Sequence, residues 1–236
     1  MPFFDDSGPR PEEERSPLWR SFALVKDQLE RLILVNLLWS LQSVPLLLAF
    51  AFPEWPAMLR LIMTLYTALM LAPATATLFA VVGDLSDGTP IDGELLWRHF
   101  KMQFRPAFLK LLPLLSLFYW SALLSGFAAE RNWLIVDVLA RLTVLLLLVL
   151  AMWWGPLLVY RPDFQAWDIL VQSALHFWQF PGQTLAMGVA CLLAILLGLV
   201  SIAGWLLIVP VLVALFQVEL YRATAFKSGL PHHFTA

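Results

Sequence analysis

The sequence predicts an all-α membrane protein: a bundle of about six transmembrane helices with short interfacial helices on the cytoplasmic side. Three observations predict it. Of 236 residues, 60% are apolar and 14% charged, against roughly 45–50% and about 25% in soluble domains. The apolar residues come in long blocks, without period two or a one-sided helical stripe, so no polar face is left for water. Six of these blocks reach the roughly 17–25 residues that a spanning helix needs.

The first element is an arm. Residues 1–14 carry Asp5, Asp6, Glu12, Glu13 and Glu14 among three prolines, whereas a signal peptide needs a basic start and an early apolar core, so no cleaved signal is expected. Residues 1–31 read as a cytoplasmic arm with an interfacial helix, 32–221 as one transmembrane domain, and 222–236 as a cytoplasmic tail. The spans are expected at 32–52, 57–82, 107–129, 133–160, 184–203 and 205–221. The last two form one apolar stretch in which only Ser201, Ala203 and Gly204 offer a turn, so a re-entrant last segment stays open as the alternative.

The links at 53–56, 130–132 and Gly204 are short, which makes antiparallel helical hairpins. On the other side lie the arm, residues 83–106, residues 161–183 and the tail. That long-loop side holds Arg10, Arg15, Arg20, Lys26, Arg31, Arg98, Lys101, Arg105, Lys110, Arg161, Arg222 and Lys227, against Arg60, Arg131 and Arg141 opposite. Twelve basic residues to three place the long loops and both termini in the cytoplasm.

Two of the long loops share a pattern. Trp97, His99, Phe100 and Phe104 in one, and His176 and Trp178 in the other, belong to stretches that run His-Phe, then Gln-Phe, then Pro just before a span. Aromatic and basic residues at a span boundary suit helices in the headgroup layer. The shared order fits an internal repeat as well as it fits coincidence in an aromatic-rich chain.

Polar groups inside a span are costly, so Asn36, Gln42, Asp137, Arg141 and Glu219 are the candidates for function. Asp137 and Arg141, four apart, are expected to pair along one helix, as are Glu219 and Arg222. Asn36 and Gln42 are expected to hydrogen-bond across to neighbouring helices. Prolines 45, 73, 113, 156 and 210 fall inside spans and are expected to kink them. Around Pro73, the small residues of 72–77 should let the second span approach the first closely, with Thr75 and Thr77 available to free carbonyls.

The four histidines are expected at the surface, not as ligands. The net charge of −2 argues against nucleic acid, and the lone Cys191 excludes an intramolecular disulfide. Asp84, Asp87, Asp92 and Glu94 with His99 read either as a solvated loop or as the carboxylate cluster of a lipid-directed enzyme. With no phosphate loop, zinc helix or nucleophile elbow in the sequence, neither a cofactor nor a catalytic residue is expected.

From Phe22 to about Leu124 the chain resembles the YesL-like family of bacterial membrane proteins. The matching residues are Asn36-Leu37-Leu38-Trp39 with Val44-Pro45, then Ala72-Pro73-Ala74-Thr75-Ala76-Thr77-Leu78, then Trp97, Phe100, Phe104 and Ala107-Phe108-Leu109. The family tends to carry glycine where this chain has Ala72. The resemblance implies a small bundle in the bacterial inner membrane, often associated with carbohydrate uptake. Its partners would be other membrane proteins, a binding-protein-dependent sugar permease among them, and the lipid bilayer. The expected role is an accessory or scaffold subunit, with a small transporter as the alternative.

Overall fold

The apolar blocks form helices, and several helices continue past them at the long-loop end. The structure, a computed structural model, describes residues 17–89 and 91–228, so the arm before residue 17 and the tail pair His232 and His233 lie outside the described residues. Along the chain run α1 (Pro17–Ala51), α2 (Ala57–Ser86), α3 (Gly93–Pro106), a π-helical turn (Ala107–Leu111), α4 (Leu112–Glu130), α5 (Leu134–Tyr160), α6 (Ala166–Gln179), α7 (Pro181–Val200), α8 (Ile202–Leu207) and α9 (Val209–Ser228). No strand occurs among the described residues. Five stretches are long and apolar enough to cross a bilayer: α1, α2, the unbroken Gly93–Glu130 run, α5 and Pro181–Gly198 in α7.

Local sequence explains the boundaries. Asp92 caps α3 by accepting the Leu95 N–H at 2.7 Å, and a capping box of Gln165 and Asp168 opens α6. The π turn lies between Pro106 and Pro113, each of which removes a backbone donor, and it carries α3 straight into α4. The segment with Trp97 and Phe104 is therefore the first part of a long helix. Pro45, Pro73 and Pro156 sit inside α1, α2 and α5, and the kink in α1 falls at Gln28 (φ −132°, ψ 28°), away from its proline. Pro210 lies at a helix start. The 205–221 block breaks at Ile208, which leaves the proline in the first turn of α9, where a missing N–H costs little.

Burial is uneven along the helices. Most of α2 before Ala72 is exposed, whereas Ala72 to Leu85 is almost wholly buried; α5 changes in the same way at Met152. α9 is buried along most of its length and touches α1, α2, α5 and α7. α1 with α2, and α4 with α5, form two hairpins that meet mainly where α2 crosses α5 and the π turn. At that crossing a Cβ added to Gly155 would fall 2.2 Å from the Phe79 ring, so glycine is what permits the approach. The result is a closed long-loop half around α9 and a splayed short-loop half.

Candidate functional site

The polar groups of the buried half converge at the long-loop end. Glu219 on α9 is 2% exposed, and its carboxylate lies 3.2 Å from Arg20 on α1 and 3.6 Å from Arg222 one turn on. Arg222 also pairs with Asp87 at the end of α2. Fifteen residues past Asp84, the fully buried His99 places Nε2 2.7 Å from the Asp84 carboxylate, which ties α3 to α2. α1, α2, α3 and α9 are thus clasped by charge where the apolar faces end. Two carboxylates sharing two guanidinium groups leave each charge compensated, which a low-dielectric site requires.

Aromatic rings pave the floor of this clasp. Tyr160 stacks on Tyr221 with centroids 5.0 Å apart, and His176 lies between Trp153, stacked at 4.8 Å, and the edge of Tyr221 at 6.3 Å. Burial holds the His176 ring below the ordinary imidazole range. Surface exposure was the expectation for both His99 and His176, and the structure corrects it. On α3 and α6 alike the histidine points back at the preceding long helix, one onto a carboxylate and the other onto an indole. Trp97 and Trp178 stay exposed, while Phe100 stacks on Trp97 and meets Phe104 edge-to-face along α3. The acidic loop cluster is corrected at Asp84, which is buried in the clasp; Asp87, which pairs with Arg222, Asp92, which caps α3, and Glu94 are exposed, as a solvated loop would have them.

Deeper in the bundle, Asn36 closes the α8–α9 break. Its Nδ2 donates to the Leu206 carbonyl at 2.7 Å and its Oδ1 accepts the Val211 N–H at 2.9 Å, so backbone groups freed at Ile208 are satisfied by α1. Trp39 donates to Thr75 Oγ1 at 3.0 Å and Tyr66 to Gln42 at 2.8 Å, which fastens α1 to α2 at two levels. Thr77 bonds the carbonyl of Pro73. Asp137 and Arg141 pair at 2.7 Å as expected, and Ser125 of α4 joins the same carboxylate.

Two cavities flank these contacts. One, of about 360 Å³, lies among α1, α2 and α3; the other, of about 280 Å³, is bounded by α2, α5, α7 and the first turns of α9 and has Thr75, Trp154 and Gln217 in its wall. Among the described residues no three His, Cys, Asp or Glu side chains gather as metal ligands would. The sequence signalled Glu219 with Arg222 and the inward use of Asn36. It gave no sign that Arg20 pairs with Glu219 or Asp87 with Arg222, since each partner lies on a helix far away in the chain.

No family model, no curated protein and no solved structure matches the chain.

Proposed function

We propose that this chain is a non-enzymatic accessory or scaffold subunit of a bacterial inner-membrane complex, with its long-loop end in the cytoplasm, that works by packing against another membrane protein. The observation that carries this reading is the contrast between the two halves. Charged groups in the buried half engage one another, while the short-loop half presents apolar flanks that this chain leaves uncovered, among them Leu61, Leu65 and Leu69 on α2 and Leu139, Leu142 and Leu146 on α5. An ion-paired base holding splayed apolar arms suits lateral contact with helices. The resemblance to YesL-like proteins suggests a binding-protein-dependent sugar permease as the partner, and the exposed Trp97 and Trp178 suit a headgroup layer around α3 and α6.

Within this reading the termini share one side, and α7 to α9 form a hairpin that enters the bilayer and returns. A second reading, a small transporter, is favoured by one feature: the helix break at Ile208 adjoins a cavity, and transporters bind cargo at broken helices. Purification from native membranes in mild detergent followed by mass spectrometry, alongside sugar and ion uptake by the chain alone in liposomes, separates the two. The scaffold reading expects a co-purifying membrane protein and no uptake. Uptake by the isolated chain overturns it.

A further inference from the structure

The larger cavity and the outer face of α3 belong together. Val35, Leu38, Trp39 and Gln42, at helical spacing along α1, form one wall; Ala74, Thr77 and Leu78 of α2 form another; and α3 closes the long-loop end with Gly93, Leu96, Trp97 and Phe100. The cavity follows α1 for about 10 Å at about 1.5 Å per residue. Its polar lining is engaged within the protein, since Trp39 donates to Thr75, Thr77 donates to Pro73 and Gln42 accepts from Tyr66. What remains for an occupant is hydrocarbon surface.

Charge reaches the cavity's edge at Lys101. Arg98, Lys101 and Arg105 recur three and four residues apart, on the side of α3 away from the buried Leu95, His99 and Gln103. None of the three cations is in an ion pair with the described residues. Lys101 lies 5.0 Å over the ring of Trp97, and Trp97 also lines the cavity, so the cationic stripe and the apolar slot meet at one side chain.

We propose that this is a binding site for one anionic glycerophospholipid, with an acyl chain in the slot among α1, α2 and α3 and the headgroup phosphate on Lys101, Arg98 and Arg105. A cationic stripe that meets a half-open apolar slot at Trp97 matches a phosphodiester carrying a chain. The inference rests on α3 lying at the headgroup layer, and it is independent of the scaffold role.

The test uses the full chain in nanodiscs holding a trace of phosphatidylglycerol with a photoreactive group on its acyl chain, or the phosphatidylcholine equivalent, with labelled residues mapped by mass spectrometry. Expected is labelling on residues 35–42 and 93–100 by the phosphatidylglycerol probe, displaced by unlabelled phosphatidylglycerol and unaffected by phosphatidylcholine or inorganic phosphate. Arg98→Gln, Lys101→Gln and Arg105→Gln should each weaken it about fivefold. Gly93→Leu should abolish it with the thermal midpoint kept, because a Cβ at Gly93 meets nothing within 4 Å and the side chain would enter the slot mouth. Equal labelling of these residues by both probes overturns the headgroup preference while leaving α3 at the interface. Absence of label from α3 with either probe overturns the placement as well, and a cross-link from the slot to a second polypeptide assigns it to a protein. The comparison of headgroups in the unaltered chain stands if a variant fails to fold.

Discussion

An asparagine in hydrocarbon is unfavourable unless both ends of its amide are used, and Asn36 uses both on backbone that the α8–α9 break would otherwise leave bare. Asn36→Leu deletes both bonds and strands the buried Val211 N–H, while the Leu206 carbonyl keeps only a 3.3 Å bond from Ser40 Oγ. The expected cost is about 2–3 kcal/mol, read as a lowered thermal midpoint in detergent; Asn36→Asp, which can still accept from Val211, should lose less. Equal stability of wild type and Asn36→Leu would mean that another group satisfies the break. His176 carries a pH prediction. Its ring is buried between Trp153 and Tyr221, and its pKa in the folded protein lies below that of the unfolded chain. The unfolded chain therefore takes up the proton first as pH falls through about 6.5, and stability present above that pH is lost below it. His176→Gln should flatten this part of a thermal-midpoint profile between about pH 7 and 5. A slope the variant leaves unchanged would assign the dependence to other groups.

Among elements, the crossing of α2 and α5 has the least slack. Gly155→Ala puts a methyl into the Phe79 ring, and overpacking a tight core costs about 1–3 kcal/mol. Adding Phe79→Leu should recover part of that loss, whereas a double variant no better than Gly155→Ala would place the strain elsewhere. The 72–77 run behaves less uniformly than its small residues suggest. Ala72 and Ala76 are fully enclosed, but Ala74 borders the larger cavity, so leucine at 76 should disturb packing more than leucine at 74. These differences show where the sequence was readable. Hairpins α1–α2 and α4–α5 were legible because charge and proline punctuate their short links, and the Asp137–Arg141 pair because helical spacing alone sets it. The break at Ile208 was hidden in an apolar run whose backbone partner, Asn36, lies 170 residues earlier. The inward turn of His99 and His176 was equally hidden, since their buried partners come from α2 and α5 and local composition points to the surface.

At the scale of the whole molecule the register of α9 decides how the chain sits in the bilayer. Asn36 meets both Leu206 and Val211, so α9 begins at the depth of Asn36. From there α1 continues through Ala51, which is about 22 Å at about 1.5 Å per residue. α8 adds only six residues before the tip at Val200 and Ser201, so this hairpin stops well short of the level where the other two hairpins turn. Its tip is also chemically unlike theirs. Val200 is 89% exposed and Leu197 72% exposed, without a charged neighbour from 197 to 207, whereas the other links carry Glu54 beside Arg60, and Glu130 with Arg131. Exposed valine and leucine without charge suit hydrocarbon, and charged turns suit water. The expected outcome follows for single cysteines placed in a Cys191→Ala background and treated in intact cells with a membrane-impermeant maleimide. Glu130→Cys should label from outside, Thr89→Cys and Asp163→Cys only after the cells are opened, and Val200→Cys from neither side until detergent is added. Labelling of position 200 from outside would make α7 and α9 two full crossings, and labelling of 89 or 163 in intact cells would invert the protein in its membrane.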